Sequence, residues 1–408
     1  MTPEISRGGL APGFSRFWWG EAVSGFGSAV TALALQTLVV VTLQGNAVQV
    51  GWLNSARWLP YLVLGLVIGA LVDRVRRRPL MIATDVIRGA LLALVPLTWA
   101  LDLLTFPLLL VLVILFGTIS LVNDAASQSF VPRLVPRAHL QRAHARLDGA
   151  DAVAQTAGPA AAGALIRAVG APLAVLVDAL TYLFSAVMVA SLRGVAEPTA
   201  KPPAAVSFRG LVAEIREGAS WVYARSGLAR LAVATHVWFA AQAVLLVVIA
   251  PYAYIQLQLT PFELGLVLGI GGIGALAGAT LSTSVGNRLG TGGAIICSYS
   301  VSAVGALIMV AAGLVPRGWA AAAVLATGQL CHGWAMGLSN SHEMSYRQAL
   351  TPDALQARTN TTMRSLNRAV LVVVSPIAGL LAETVGFGQA LGLGVVVFAA
   401  SALILALS

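Results

Sequence analysis

Charged residues are scarce in this chain of 408 residues, of which 10% are Asp, Glu, Lys or Arg and 58% are hydrophobic. A soluble domain has about 25% charged residues, because polar side chains must coat its surface. This chain has too few of them to cover a water-soluble core of its size. The composition therefore predicts an integral membrane protein whose outward-facing apolar side chains contact lipid.

Several chemical signatures are also missing. The two cysteines, Cys297 and Cys331, lie in apolar stretches and indicate neither a disulfide framework nor a metal site. The five histidines form no ligand cluster, and the patterns G-x-S-x-G and G-x-x-x-x-G-K-[ST] do not occur. We therefore expect no cofactor, no metal, no enzymatic activity and no ATP-binding loop. Residues 1–19 contain no cleavage site behind a compact apolar core, so no cleaved signal peptide is expected.

Long apolar runs are what the chain has instead. A membrane-spanning helix needs about 20 mostly apolar residues. Twelve segments meet this requirement: 14–43, 48–72, 79–100, 106–130, 147–169, 171–192, 226–256, 262–285, 293–315, 318–345, 359–383 and 386–407. The sequence thus predicts an all-α membrane protein with twelve spans.

Positive charge is distributed unequally between the connections. The net charge of +9 comes from arginines in short bursts between apolar runs, which does not suit a nucleic-acid-binding domain. All but four of the 25 Lys and Arg residues lie in alternate connections, at the adjoining helix ends or in the N-terminal tail; the exceptions are Arg57, Arg88, Arg167 and Arg317. Because positive charge stays on the cytoplasmic side, we expect a plasma-membrane protein with both termini cytoplasmic.

The two halves of the chain resemble each other at an offset of about 215 residues. Gly51 aligns with Gly265, and "GPAAAG" (158–163) aligns with "SPIAG" (375–379). We therefore divide the chain into a six-helix bundle at 1–192, a linker at 193–225 and a second six-helix bundle at 226–408. The linker begins Pro-rich and then has apolar residues at helical spacing, which predicts an amphipathic helix on the membrane surface. Two like halves around a passage are typical of secondary transporters.

Several motifs occur in order along the chain. The segment "GALVDRVRRRP" (69–79) contains Gly69, Leu71 and Asp73–Arg74, followed by Arg76, Arg77 and Arg78. It resembles the loop signature G-x-L-x-D-R-x-G-R-R/K of the major facilitator superfamily, with Arg76 in the usual glycine position, and the resemblance covers nearly the whole chain. The stretches "DVIRG", "VPRLVPRAHLQRAHARLDGA" and "DALTYLFSA" resemble its branch of macrolide-efflux and siderophore-exporter proteins. The resemblance implies two pseudo-symmetric six-helix bundles.

The resemblance also implies a gate on the cytoplasmic side. By this similarity, Asp73 would face the start of helix eleven, and Arg74 or Arg78 would pair with Asp124 at the end of helix four. These contacts would hold the halves together and break when the inner side opens. The alternative is that the arginines only set the topology, which is favoured for Arg76 and Arg77.

Helix five contains a second resemblance, to the G-P-x-x-G-G motif of exporters that exchange substrate for protons. Here it is Gly158, Pro159, Ala160, Ala161, Ala162 and Gly163. Proline kinks a helix, and small residues permit close helix packing, so Gly158, Pro159 and Gly163 are predicted to form a seal or hinge. A generic packing face of small residues remains the alternative.

Charged residues inside spans are costly and are functional candidates. Glu21 and Arg57 would form a buried pair that a proton on Glu21 releases, unless Glu21 reaches water at the inner surface. Asp178 is a second candidate for proton coupling, although it is also typical of the family branch. Asp85 and Arg88 are three residues apart and can pair with each other.

Aromatic and polar residues of helices seven and ten are predicted to line a substrate cavity: His236, Trp238, Gln242, Trp334 and Asn340. Such walls suit bulky amphiphiles. We expect a monomeric exporter of a drug, macrolide or siderophore-like compound that uses the proton gradient across the lipid bilayer and binds no nucleic acid. A lipid or metabolite carrier that runs as an importer or flippase is the alternative, and a membrane-embedded enzyme is less favoured.

Overall fold

The computed structural model describes residues 12–72, 75–192, 213 and 216–407, and within these ranges the chain is helical without strands. Its long helices are α1 Pro12–Thr37, α2 Ala47–Val72, α3 Arg77–Ala100, α4 Phe106–Leu134, α5 Leu140–Val169, α6 Ala171–Ala190, α7 Ala229–Pro251, α10 Trp319–Leu350, α11 Asp353–Val385 and α12 Phe387–Ala406. Between α7 and α10, the segment Pro261–Ala311 breaks at Gly290, where φ is 70°. We label its two parts α8 (261–289) and α9 (291–311). The predicted twelve helices are confirmed.

Two short π-helical turns extend the spans on one face. Leu38–Thr42 continues α1 and Tyr252–Gln256 continues α7. Since these turns sit at equivalent positions in the two halves, they lengthen both helices in the same way. The predicted ends at residues 43 and 256 therefore agree with the structure to within one residue.

In each half, one helix ends at a glycine with a positive φ angle. Gly170 separates α5 from α6 with φ 84°, and Gly386 separates α11 from α12 with φ 100°. Only a residue without a Cβ adopts this left-handed conformation easily. The tight reversals that result carry the chain straight back across the bundle, as the short connections "VGAP" and "VGFG" predict.

The helices form two groups. Within the first six, α1 packs on α5 and α6, and α3 packs on α4 and α6; within the last six, α7 packs on α11 and α12, and the α8–α9 segment packs on α10 and α12. The groups meet mainly where α2 crosses α11 and where α5 crosses α8. The predicted linker, residues 193–225, lies mostly outside the described residues, so its amphipathic helix stays a prediction.

The outer surface of the bundle is apolar. Val63, Leu180 and Val187 expose 63%, 58% and 60% of their surface. Eight helices, with 261–314 taken as one, are long and apolar enough to cross a membrane by length and composition. Side chains of this kind are stable in contact with lipid rather than water, which agrees with a multi-pass membrane protein.

Candidate functional site

Among the described residues, the closest backbone contacts between the two halves lie toward one face of the bundle. We call the face where the described chain begins and ends the terminal face, and the other the distal face. On the distal side, a Cβ atom added to Gly51 of α2 would overlap the carbonyl oxygen of Ser375 in α11 and lie 3.0 Å from Cα of Pro376. A Cβ atom on Gly265 of α8 would overlap the carbonyl oxygen of Pro159 in α5. Both crossings therefore depend on glycine.

These two crossings are the same contact repeated in the two halves. Gly379 faces the carbonyl oxygen of Ala47, just as Gly163 faces the carbonyl oxygen of Pro261. Ala47 and Pro261 are separated by the same offset as Gly51 and Gly265. The structure thus supports the internal repeat, since the aligned residues occupy matching positions at the α2–α11 and α5–α8 crossings.

Hydrogen bonds reinforce the distal contact. Nδ2 of Asn54 donates to Oγ of Ser375 at 2.7 Å, and Oγ of Ser55 donates to the carbonyl oxygen of Val372 at 2.7 Å. The N–H of Ala47, at the start of α2, donates to Oε1 of Glu383 at 2.7 Å. A carboxylate at a helix N-terminus is favoured by the helix dipole. We call the α2–α11 and α5–α8 crossings, with these hydrogen bonds, the distal closure.

The exporter-like motif of helix five lies in the distal closure. Pro159 and Gly163 contact α8, and a Cβ atom on Gly158 would come within 2.5 Å of Cβ of Ala29 in α1. The motif therefore joins α5 to two other helices at once. Its small residues permit the close approach that the sequence predicts, while its role in gating stays a prediction.

Three cavities lie within the bundle, and the second of them is lined by residues toward the terminal ends of α2, α4 and α11. The arginine cavity has a volume of about 290 Å³ and is lined by Arg57, Trp58, Tyr61, Arg88, Asp178 and Arg368, among others. The mouth cavity, of about 330 Å³, shares Tyr61, Asp124 and Arg368 with it and adds Arg364 and Gln128. The glutamine cavity, of about 280 Å³, is lined by Gln36, Gln155, Gln242, Gln329 and His332, among others. Their volumes are close to the lower end of the range for small-molecule sites.

Aromatic rings and cations alternate along the wall of the arginine cavity. The Cζ atom of Arg57 lies 5.7 Å from the ring centroid of Trp58. The Cζ atom of Arg368 lies 4.7 Å from the centroid of Tyr61 and 5.8 Å from that of Trp58. Oη of Tyr61 donates to Oδ2 of Asp124 at 2.7 Å. Because Trp58 and Tyr61 belong to α2 and Arg368 belongs to α11, this cluster bridges the two halves.

Asp85 and Arg88 form a buried ion pair, as their spacing predicts. Nδ2 of Asn123 donates to Oδ1 of Asp85 at 3.1 Å and to Oγ1 of Thr84 at 2.7 Å. The Cζ atom of Arg88 lies 4.1 Å from the ring centroid of Tyr182. This network joins α3, α4 and α6, and it neutralises Arg88 within the first half.

The predicted pair of Glu21 and Arg57 is not formed in this structure. Oγ of Ser127 donates to Oε1 of Glu21 at 3.2 Å, whereas Arg57 is exposed on the wall of the arginine cavity beside Trp58. Glu21 lies nine residues from the start of α1 and Arg57 lies 15 residues from the end of α2. At a helical rise of about 1.5 Å per residue, the two side chains sit at different depths.

Asp178 is fully buried at the centre of the first half. Oγ1 of Thr181 donates to its Oδ1 at 2.9 Å, and a Cβ atom on Gly27 of α1 would overlap that same oxygen. The glycine in α1 thus leaves room for the carboxylate. Asp178 borders the arginine cavity without exposing measurable surface.

The gate residues of the terminal side are placed only in part. Asp73 and Arg74 lie outside the described residues. Arg78 donates to the backbone carbonyl oxygens of Val189 and Ala190 at the end of α6, and Asp124 accepts from Tyr61. Among the contacts of the described residues, Arg78 and Asp124 do not form an ion pair with each other.

Of the five residues predicted to line the cavity, Gln242 lies on the wall of the glutamine cavity. Trp238 is 7% exposed and belongs instead to the core of the second half, where it stacks on His332 with ring centroids 5.8 Å apart. His236 donates from Nδ1 to Oδ1 of Asn367 in α11 at 2.6 Å. These two residues of α7 thus face other helices of their own half.

The remaining two predicted wall residues belong to α10. The backbone of Trp334 packs against glycines of α8, since Cβ atoms on Gly274 and Gly278 would meet it. Asn340 is exposed. Neither lies on the walls of the three cavities.

Several residues of the site were missed in the sequence. Arg368 lies ten residues after Arg358, inside α11, and its place within a predicted span was the available signal. Glu343, in α10 beside Tyr299 and Arg347, does not line the three cavities, but it is an intramembrane acid that the same criterion would have found. The Nε2–H of His332 donates to Oε1 of Gln242 at 2.8 Å, a contact between α10 and α7 that the sequence does not reveal.

The chain matches the Major Facilitator Superfamily over residues 17–370 and belongs to that family. It is therefore a transporter rather than an enzyme. The chain is 30% identical over 302 residues to the multidrug efflux pump Tap of Mycobacterium tuberculosis (strain ATCC 25618 / H37Rv). The aligned region covers 71% of this chain and 69% of the pump. It is 28% identical over 184 residues to macrolide efflux protein A of Streptococcus pyogenes, or 44% of each chain. These relatives confirm the resemblance to the efflux branch.

Solved structures share the fold. A bacterial homologue of the iron transporter ferroportin matches in its inward-facing state with a TM-score of 0.74, 15% sequence identity and coverage of 98% of both chains. In the outward-facing state the TM-score is 0.61, with 16% identity and coverage of 97% of this chain and 99% of the homologue. At these identities the likeness concerns the fold alone.

Proposed function

We propose that this protein exports bulky organic compounds by alternating access, in exchange for protons. The observation that supports this most is the one-sided closure. The halves are joined at the distal face, while the mouth cavity between them lies toward the terminal face. A carrier in this arrangement admits substrate from the terminal side and releases it after the distal closure opens.

The direction of export depends on the orientation in the plasma membrane. The arginine-rich connections support placing the terminal face, with both chain termini, in the cytoplasm. In that orientation the structure is an inward-facing state, which loads substrate from the cytoplasm. We further propose that the bundles at 1–192 and 226–408 move as units joined by the linker at 193–225, and that one chain is sufficient for transport.

The substrate class is supported by the cavity and by the relatives. Trp58, Tyr61 and Phe116 supply aromatic surface on the wall of the arginine cavity. Aromatic walls with a few polar groups suit bulky organic molecules. Drugs and macrolides are the compounds that the names of the two efflux relatives indicate, and siderophore-like compounds belong to the same size class.

Proton coupling is proposed to involve the intramembrane acids of the first half. Glu21 faces Asp85, Arg88 and Asp124, so a change in its charge alters the balance around the Arg88 ion pair. Asp178 lies against the arginine cavity and near Arg57 and Arg88. A proton on either acid would leave the adjacent arginines with less negative charge beside them, and Arg57 would then be freer to bind substrate.

The gate on the cytoplasmic side is proposed to form when the halves meet there. Asp73 would then face the start of α11, and Arg74 or Arg78 would reach Asp124. In the present conformation Asp124 is instead hydrogen-bonded to Tyr61. The exchange of this partner for an arginine would accompany closure of the mouth cavity, while the α5 motif at Gly158, Pro159 and Gly163 separates from α8.

Export of a fluorescent amphiphile from cells tests the proposal. Cells that produce the protein and are loaded with rhodamine 6G or with fluorescein should lose at least one of these dyes faster than cells with an empty vector. A protonophore should abolish the difference. Net uptake of the dye would indicate the importer or flippase alternative, and export that the protonophore leaves intact would contradict proton exchange.

A further inference from the structure

The arginine cavity contains cationic groups without a matching number of acids on its wall. Among its described wall residues, Arg57, Arg88 and Arg368 are cationic, whereas Asp124 and Asp178 are acidic. Arg88 is paired with Asp85 behind the wall, and Asp178 is completely buried and bonded to Thr181. Arg57 and Arg368 are therefore the cations that the cavity presents to its contents.

The contacts of these two arginines are with aromatic rings. Arg57 contacts Trp58, and Arg368 contacts both Trp58 and Tyr61. Within the described part of the chain, no carboxylate lies within ion-pair distance of either guanidinium. Asp124 is nearby but accepts from Tyr61, and Arg364 adds a further positive charge beside Arg368. The cation–π contacts hold the guanidinium groups in place and leave their N–H donors available.

Arg57 is exposed and Arg368 is partly exposed on the cavity wall, so a ligand in the cavity can reach both guanidinium groups. The fork of N–H groups on arginine matches a carboxylate, which can accept two parallel hydrogen bonds. The rings of Trp58 and Tyr61, with centroids 5.5 Å apart, provide an apolar surface next to the two arginines. The wall thus offers an anion site and an aromatic platform side by side.

We propose that the arginine cavity selects bulky aromatic compounds that bear a carboxylate, and that Arg57 and Arg368 bind this group. The inference rests on the proposed export function and specifies its substrate class. It also couples binding of the substrate carboxylate to both halves of the molecule. Arg57 and Trp58 belong to α2, whereas Arg368 belongs to α11, so a carboxylate held by both arginines links the helices that must separate.

Two dyes with the same xanthene skeleton and opposite charge test the proposal. Fluorescein bears a free carboxylate and is anionic at pH 8, whereas rhodamine 6G is a cation whose carboxylate is esterified. Fluorescence anisotropy with the purified full chain in lipid nanodiscs gives Kd for each dye. We expect fluorescein to bind more tightly than rhodamine 6G. The Arg57→Gln and Arg368→Gln variants should each raise the Kd of fluorescein by about tenfold or more, because each loses a charge-assisted hydrogen bond.

Matched control variants distinguish a specific loss of carboxylate binding from misfolding of the protein. Arg317→Gln removes an exposed arginine in the connection before α10, away from the cavity walls, and should leave both Kd values unchanged. Arg368→Lys, which retains the charge, should recover part of the fluorescein binding. Tighter binding of rhodamine 6G by the unsubstituted protein, or fluorescein binding that is indifferent to Arg57→Gln and Arg368→Gln, would overturn the proposal. The first of these comparisons needs no variant to fold.

The outcome is distinguishable from that of the export proposal. Export of rhodamine 6G without binding of fluorescein would leave the export function standing and overturn the charge preference. Arginine-dependent binding of fluorescein, with no proton-driven export of any dye, would support the charge preference and contradict the export function.

Discussion

A methyl group at position 265 should open the distal closure. In the structure a Cβ atom there would overlap the carbonyl oxygen of Pro159 and lie 3.0 Å from Cα of Gly163. Both obstacles are backbone, which moves only if α5 and α8 separate. Overpacking of a tight contact costs about 1–3 kcal/mol. Because the cost falls on the conformation in which α5 touches α8, the Gly265→Ala variant should shift the equilibrium toward a conformation that is open at the distal face, by about 5- to 150-fold.

The shift is measurable as a distance between the two halves. Spin labels at position 102, between α3 and α4, and at position 317, before α10, report the separation of the distal ends once Cys297 and Cys331 have been replaced by alanine. Electron–electron double resonance on the Gly265→Ala variant should show a population with a longer distance. The equivalent Gly51→Ala variant at the α2–α11 crossing should do the same.

Gly65→Ala is the matched control, because a Cβ atom at Gly65 of α2 would meet nothing within 4 Å. Its distance distribution should equal that of the unsubstituted chain. An unchanged distribution for Gly265→Ala, in a variant that elutes as a single species, would refute the assignment of this crossing as the distal closure. An equal shift in Gly65→Ala would refute the steric argument.

Three further predictions concern charges. Glu383→Gln keeps the shape of the side chain at the N–H of Ala47 but removes its charge, so the distal closure should weaken by about 0.3–1 kcal/mol. The same spin-label pair should therefore report a smaller shift in distance than Gly265→Ala gives. A larger shift than that of Gly265→Ala would contradict the assigned role of Glu383. Glu21→Gln and Asp178→Asn should each be assayed in proteoliposomes with an imposed pH gradient, where at least one should reduce substrate transport; full activity of both would exclude these acids from proton coupling. Asp73→Ala should leave membrane insertion intact, measured by the amount of protein in the membrane fraction, and lower the turnover of dye export; unchanged turnover would restrict this motif to setting topology.

The positions of the helices could be predicted from the sequence because a span is a local property. The length of an apolar run and the charges at its ends decide where a helix crosses the membrane. The repeat itself was visible in the sequence, where Gly51 aligns with Gly265, but the crossings at which these two glycines lie are known only from the structure. Asp85 and Arg88 paired as expected, because residues three apart share a helix face.

The rotation of each helix about its axis could not be predicted in the same way. A helix that contacts lipid on one side and other helices on the other is apolar all round, so the periodicity that orients a soluble helix is weak. Trp238 was therefore predicted to line the cavity, whereas its contacts with His332 and Phe398 place it in the core. Arg368 lies within the predicted span 359–383 and was not assigned to the cavity, because the sequence does not show that it faces the cavity.

The depth of a charged residue within the bundle could also not be predicted from the sequence. The proposed pair of Glu21 and Arg57 required both side chains at one level, and the helical rise places them at different levels. The partners that they have instead, Ser127 and Trp58, depend on how α1, α2 and α4 are staggered. This stagger is set by the close contacts between helices, which no single run of residues reveals.

Transport driven by a proton gradient tests the central claim most directly. Purified protein is reconstituted into liposomes with a pH difference across the membrane, and the concentration of a fluorescent amphiphile is followed on both sides. The account predicts that the dye moves against its own concentration gradient while protons flow the other way, and that a protonophore dissipates the accumulation. Dye movement that only follows its own gradient, or accumulation that a protonophore leaves unchanged, would contradict the account.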